Sequence, residues 1–390
     1  MTTTATPNPN PERSLDALTL AQTLITMPSP SQVSNVAISE YVADLLAGLG
    51  FRVEKLTYTD PDGEAKMSVV ARLGDLPGNG GGGFGLFSHS DTVPGGEGWE
   101  PFTPTIEGDR LIGRGSCDMK GPLAATIAAA ATVDAQALTA PLYIVVTADE
   151  EVGYPGARQV CAESQILAEA WPAYSVVAEP TALEPVYAHK GGVHMEITAH
   201  GRAAHTSTDL GTSANFLIAP FLAEMATLAQ EFKTDARHMN PEFSPPTNGF
   251  NMVLNDFGCR PNVTAARTVC TVSFRVMPND HQDEIVETIR QRAEHHGFNF
   301  AWRMVDYFYS PTDTEIVQAA VAATGRDQAI TVPFGTEASL YKDHTQCVIL
   351  GPGHIAQAHT IGEYVLIPQL GEAVQIYRKL IHRFCLAGGQ

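Results

Sequence analysis

The chain has 390 residues, 44% of them hydrophobic, and 43 acids against 24 bases give a formal net charge of −19. That length exceeds most single domains and predicts two. The acidic balance excludes nucleic acid as a main partner, because phosphate binding needs a basic surface; no apolar run of 18 residues is present to span a membrane.

In chain order, residues 1–13 (MTTTATPNPNPER) are rich in Thr, Pro and Asn and lack the apolar core of a signal peptide, so they are expected to be a disordered tail. Helical spacing of apolar residues follows over 15–27 and 36–49, with Gly50 as a stop. A strand is predicted over 67–73, then a flexible loop at 78–83 (GNGGGG). No Lys-Ser/Thr follows that loop, so it is not a phosphate cradle. The runs GLF before His89, LYIVV before Asp149 and SVVA before Glu179 read as buried, mostly parallel strands. An Ala-rich helix is predicted over 123–131, directly after the loop GRGSCDMKG.

Around Pro185 the texture changes. Residues 193–199 (VHMEITA) alternate apolar and polar, the pattern of a strand with one wet face. A helix over 214–232, strands over 251–257 and 269–276 and a helix over 282–295 follow. The alternation then resumes with a strand at 300–305, a helix at 315–324, a strand at 348–350 and a last helix from 370 towards 384. The expected fold is α/β: a mostly parallel-sheet domain with helices on both faces (14–185 and 298–390), interrupted by a smaller α+β domain (186–297). The six cysteines form no CxxC pair, which excludes a zinc knuckle and a thioredoxin-like motif and fits a reduced, cytoplasmic setting.

Five segments end apolar runs with metal-ligand residue types: LFSHSD (His89, Asp91), GRGSCDMKG (Asp118), VVTADEE (Glu150, Glu151), VVAEPT (Glu179) and QAHT (His359). Open α/β sheets bind ligands at the carboxyl ends of their strands. Imidazole nitrogen and carboxylate oxygen suit zinc, and two ions about 3.5–4 Å apart can share a bridging carboxylate. Neighbouring glutamates point different ways on an extended or turning chain, so one of Glu150 and Glu151 can bind metal while the other moves a proton. Asp91 is a candidate partner for the second ring nitrogen of His89. Taken singly, each segment also fits a bland role: a solvated acidic turn, a His-Ser-Asp turn without metal, a strand-end charge, a surface histidine.

The stretches SHSDTVP, GRGSCDMKG, TADEEVG, AEPT, HGRAAHTS and GPGHIAQAH resemble, in order and over most of the chain, the zinc aminoacylase and carboxypeptidase family. That family includes acetylornithine deacetylases, succinyl-diaminopimelate desuccinylases, carboxypeptidases of the G type and di- and tripeptidases. The resemblance implies a dizinc amidohydrolase, with Co2+ able to substitute. It makes His89 a ligand of one zinc and Asp118 the ligand shared by both. Glu151 and Glu179 would each bind one of the ions, His359 would complete the site, Glu150 would be the general base, and Asp91 would orient His89. It also implies a homodimer in which the inserted domain is a lid. His205, in HGRAAH, would reach a neighbouring subunit's site and steady the oxyanion; read alone, it is an exposed polar residue in a turn.

Within the family, FGTEASLY followed by GPGHIAQAHTIGEYV resembles the acetylornithine deacetylases more than the desuccinylases. The implied reaction is hydrolysis of an N-acyl amino acid, N-acetylornithine to ornithine and acetate, as in arginine biosynthesis. Thr336 and Glu337 would line the substrate pocket, with Glu337 attracting a side-chain amine; otherwise Glu337 is a helix N-terminal charge. Arg275 and Asn262 resemble positions that hold the substrate carboxylate and carbonyl, with Lys190 serving similarly, although a lid arginine also fits a surface ion pair. Relatives often carry Gly-Gly before that asparagine, where this chain has LNDFGCRPN. The competing readings are a carboxypeptidase or dipeptidase, another deacylase such as a desuccinylase, and, outside enzymes, a catalytically silent dimeric binding protein.

Overall fold

A computed structural model describes residues 15–76, 82–278 and 281–386. The expected tail at 1–13 and most of the loop at 78–83 lie outside the described residues. The chain divides into two compact units. The first comprises Met1–Val186, Ser310–Ala329 and Leu340–Gln390; the second comprises Tyr187–Tyr309 and Ile330–Ser339.

In the first unit a sheet runs in the order Arg52–Thr59, Ala65–Leu73, Leu142–Thr147, Phe84–His89, Tyr174–Val177, Gln346–Ile349. The last four strands are parallel to one another, and the first two add on antiparallel. Phe84–His89 and Leu142–Thr147 are buried at every residue, as strands covered on both faces must be, which explains their unbroken apolar runs. From Phe84–His89 the chain moves to Leu142–Thr147 on one side and then to Tyr174–Val177 on the other. That reversal opens a crevice at the carboxyl end of Phe84–His89.

The helix Lys120–Ala130 is buried along its whole length and packs against Ala17–Ile25 and Ile367–Cys385. Its alanines favour helix and keep neighbours close. A small three-stranded sheet pairs Tyr364–Leu366 with Arg110–Ile112, and Arg110–Ile112 with Thr105–Glu107. This sheet sets the segment just before Tyr364 beside the loop that carries Asp118.

The second unit is a four-stranded antiparallel sheet in the order Asn251–Asn255, Arg267–Val276, Gly191–His200, Asn299–Val305. The helices Ala214–Thr234 and Gln282–His295 share a core with it, where Val193, Met195 and Ile197 meet Phe221, Met225 and Ile289. Alternate residues of Gly191–His200 are buried, matching the wet-faced strand read from VHMEITA.

Two boundaries differ from expectation. The stretch read as resuming the first domain, 300–305, is an edge strand of the second unit, pairing Phe300 with Ile197 and Met304 with Val193. Its inward residues complete the core of the smaller sheet, so the second unit extends beyond 297 to Tyr309. Residues 330–339, placed by sequence in the first domain, also belong to the second unit. No periodic signal marks the strand Arg52–Thr59, a polar edge strand with one buried position, Leu56.

Gly121 opens the buried helix where a Cβ would stand 2.1 Å from the Ser116 carbonyl oxygen. A helical Gly→Ala change ordinarily stabilises, by roughly 0.4–1 kcal/mol. Gly121→Ala is expected to do the opposite and lower the thermal midpoint, which a melting curve of the two proteins would show.

Candidate metal centre

Three neighbouring parallel strands present acids and an imidazole at their carboxyl ends. His89 is the last residue of Phe84–His89. Glu150 and Glu151 lie in a 3-10 turn after Leu142–Thr147, and Glu179 follows Tyr174–Val177 by two residues. Asp118 comes from the loop that opens the Lys120–Ala130 helix, with a cis peptide bond to Met119. His359 arrives from the chain's last quarter, on a left-handed residue (φ 63°).

The structure brings these side chains together around Asp118. Its Oδ1 lies 3.1 Å from His89 Nε2, and its Oδ2 lies 3.3 Å from His359 Nε2. Glu179 Oε1 is 3.7 Å from His89 Nε2, while Glu151 Oε2 is 3.0 Å from His359 Nε2. Each oxygen of Asp118 thus faces a different imidazole, and each imidazole has a second carboxylate beside it. Two groups of ligand atoms, His89–Asp118–Glu151 and His89–Glu150–Glu179, each fall within 4.8 Å of one another. Asp118, Glu151 and Glu179 are nearly buried, whereas the His359 side chain is 50% exposed and stands at the edge of the cluster.

Asp91 stands against His89, as expected, and does more than orient it. His89 Nδ1 lies 3.0 Å from the Asp91 backbone oxygen and 3.5 Å from its carboxylate. The carboxylate is taken up mainly by other donors: the Glu150 amide at 3.0 Å, the Glu151 amide at 3.2 Å and the Ser31 hydroxyl at 2.8 Å. Asp91 therefore holds the glutamate turn as well as the imidazole.

The electrostatics show what the cluster lacks. Burial opposes charge on His89, but its hydrogen bonds to Asp118 and Asp91 raise its pKa well above the ordinary value. Hydrogen bonds to Asp118 and Glu151 lift His359 to about 10. Burial works to raise Asp118, yet the two histidines draw it below the usual carboxylate range. Burial, then the Asp118 charge, pushes Glu151 up. Five carboxylates (Asp91, Asp118, Glu150, Glu151, Glu179) thus crowd against two imidazoles, which take up protons to offset them. Divalent cations answer that imbalance, and mixed nitrogen and oxygen donors suit zinc or a similar ion.

Glu363 lies in the stretch GPGHIAQAHTIGEYV, where no local pattern marks a role for it. Its side chain is fully buried, and Oε1 accepts from the amides of Gly115, Cys117 and Asp118 at 3.0, 2.9 and 3.0 Å. Oε2 pairs with the Arg114 guanidinium. Glu363 thus clamps the loop carrying Asp118 from four residues beyond His359. A lone acid between that histidine and the strand Tyr364–Leu366 was the only signal, and Ser31 gave none.

The remaining candidates lie in the second unit. His205 is exposed; its Nδ1 lies 2.7 Å from the Ser207 hydroxyl, and the Ser207 amide donates to it at 3.3 Å. The HGRAAHTS and RPNVTA motifs adjoin there: the Thr206 amide donates to the Asn262 oxygen at 3.0 Å, and His205 bridges to Val263. Arg275 is exposed on the wet face of the sheet. Lys190 is 1% exposed and donates to the carbonyls of Pro245 and Thr247 at 2.6 and 2.7 Å, so its ammonium anchors that loop. Thr336 caps the short helix Ala338–Tyr341, its Oγ1 accepting from the Ala338 amide at 3.1 Å, while Glu337 is buried beside it. Lys190 and Thr336 thus each engage backbone groups within the second unit.

Residues 85–383 match the family described as peptidase family M20/M25/M40. The acetylornithine deacetylase of Proteus mirabilis (strain HI4320) is 33% identical over 366 residues, covering 91% of each chain. A metallo-carboxypeptidase of the M20 family, Sso-CP2 from Sulfolobus solfataricus, shares the fold with a TM-score of 0.71 at 16% identity, over 94% of this chain and 98% of that one. YXEP of Bacillus subtilis, described as a dinuclear metal binding peptidase of the same family, superposes with a TM-score of 0.63 at 16% identity, over 95% and 98% of the two chains.

Removing the carboxylate in Glu363→Ala leaves the buried Arg114 and three loop amides without their partner. The expected loss is about 3–5 kcal/mol of folding stability, as for other broken buried pairs, read by urea unfolding.

Proposed function

Because the chain belongs to peptidase family M20/M25/M40, a family of hydrolases, we propose that it is a metal-dependent amidohydrolase that splits N-acetylornithine into ornithine and acetate. The observation that carries this reading is Asp118 between two imidazoles, with one oxygen towards each. His89, Asp118 and Glu179 would hold one divalent cation, and Asp118, Glu151 and His359 the other. Zinc is the metal the donor set suits, with cobalt as a substitute. When bound, the ions supply polarisation of the amide carbonyl and a lowered pKa for water.

The chain's own residues divide the remaining work. Glu150 takes a proton from the attacking water and returns it to the departing amine nitrogen. Asp91 fixes Glu150 through its backbone amide and holds the ring of His89. In the second unit, acting as a lid and dimerisation domain, His205 steadies the developing oxyanion of a neighbouring subunit. Arg275 captures the substrate carboxylate, Asn262 contacts its carbonyl, and Glu337 attracts the side-chain amine. The relative from Proteus mirabilis supports the acetylornithine assignment over a carboxypeptidase or desuccinylase. Among the described residues no helix is long and apolar enough to cross a membrane.

A panel of N-acetylornithine, N-succinyl-diaminopimelate, N-acetylcitrulline and dipeptides tests the substrate. N-acetylornithine should give the highest kcat/KM; a dipeptide or the succinyl compound in first place would transfer the reading to the runner-up. Glu150→Gln should lose about 10²–10⁴-fold in kcat with its metal content intact. A chelator should abolish activity, and zinc or cobalt should restore it.

His359→Ala should lower bound metal from two ions towards one, by elemental analysis. His359 sits at about 10 in the metal-free protein, so loading at neutral pH must release its proton. Calorimetry in buffers of different ionisation enthalpy should register that release, with affinity weakening as pH falls.

A further inference from the structure

Behind the glutamate turn lies a buried cation that the proposed chemistry does not use. Lys66 is 0% exposed, on the strand Ala65–Leu73. Its ammonium lies 2.7 Å from the Ser31 carbonyl, 2.9 Å from the Val33 carbonyl and 3.0 Å from Asp149 Oδ1, with Asp60 Oδ2 farther away at 3.4 Å. The two carbonyls accept hydrogen bonds from the ammonium, while Asp149 faces it as a buried ion pair without hydrogen-bond alignment.

Asp149 immediately precedes Glu150 and occupies the left-handed region (φ 57°, ψ 38°). That conformation is uncommon for a residue with a Cβ and persists where the surroundings hold it. Its second oxygen accepts from the Tyr58 hydroxyl at 2.7 Å. Tyr58 stands directly opposite Lys66 in the strand pairing, so two cross-strand neighbours grip one carboxylate.

The other arm of the cation reaches the same place. Lys66 holds the carbonyl of Ser31, whose hydroxyl donates to Asp91 Oδ2, and Asp91 receives the amides of Glu150 and Glu151. The turn bearing the proposed base is therefore fixed at its start by Asp149 and from its side by Asp91, and Lys66 stands where the two supports meet.

We propose that Lys66, together with Asp149 and Tyr58, is a positioning device for Glu150, setting where its carboxylate stands relative to the water it deprotonates. This rests on the reading of Glu150 as general base. A purely structural ion pair would stabilise the fold and leave the turnover step alone; a positioning role acts on turnover through Glu150. Small misplacements of a reacting group reduce rate strongly while binding persists.

The test is a double-mutant cycle on the full chain loaded with zinc, assayed with N-acetylornithine or the panel compound turned over fastest. Lys66→Met combined with Asp149→Asn removes both buried charges together, and Asn tolerates the left-handed region. In the otherwise unaltered protein this pair should reduce kcat by about tenfold or more, with KM and metal content unchanged. In a Glu150→Gln background the same pair should change the residual rate by less than about twofold, because a device acting through Glu150 has nothing left to position.

Equal losses in both backgrounds, or an unchanged kcat in the first, overturn the proposal. If the double variant does not fold, Tyr58→Phe decides alone. It removes a single hydroxyl, and it should lower kcat severalfold in the first background only. Should Glu150→Gln itself keep near-normal turnover, both the base reading and this inference fall. Should it collapse while the Lys66 pair keeps full kcat, only this inference fails.

Discussion

Five carboxylates brought into one nearly buried space repel one another. The two imidazoles, whose pKa values rise in response, offset the excess only in part. The structure around them answers that constraint at each level. A buried cation at Lys66, a clamp of backbone amides and the side chain of Arg114 on Glu363, and the amides of Glu150 and Glu151 on Asp91 each hold an acid in place with donors. Asp118, Glu151 and Glu179 face His89 and His359, where divalent cations would complete the balance.

Geometry follows from topology here. A parallel sheet sends all its strand ends to one side, and the reversal of strand order around Phe84–His89 opens the crevice there. His89, Glu150, Glu151 and Glu179 arrive by this route without any loop having to travel far. Asp118 and His359 come from outside the sheet, and each needs a device to reach the same point. For Asp118 it is the loop gripped by Glu363; for His359 it is a left-handed backbone leading into the small three-stranded sheet.

The elements with strong periodic signals were legible in the sequence. The buried strands before His89, Glu150 and Glu179, the alanine helix after Asp118 and the wet-faced strand at Gly191–His200 all stand close to where the pattern put them. The strand-end residues His89, Glu150, Glu151 and Glu179 were legible because each follows an apolar run. What stayed hidden depends on contacts far apart in the chain. Asn299–Val305 resembles any short strand, and only its partner Gly191–His200 assigns it to the second unit. The Lys190 ammonium meets the carbonyls of Pro245 and Thr247, more than fifty positions along the chain. Glu363 and Ser31 act on residues more than fifty positions away, which no local pattern encodes.

The contribution of His359 and Glu363 has a consequence for how the molecule is made. The strand Gln346–Ile349, His359 and the clamp Glu363 all follow the second unit in the chain. A ribosome therefore releases His89, Asp118, Glu150, Glu151 and Glu179 long before the segment that finishes their enclosure. Through most of synthesis these acids stand open to water, where hydration relieves their repulsion. Closure of the centre is thus a late event in biogenesis, joining the last quarter of the polypeptide to strands that emerged first.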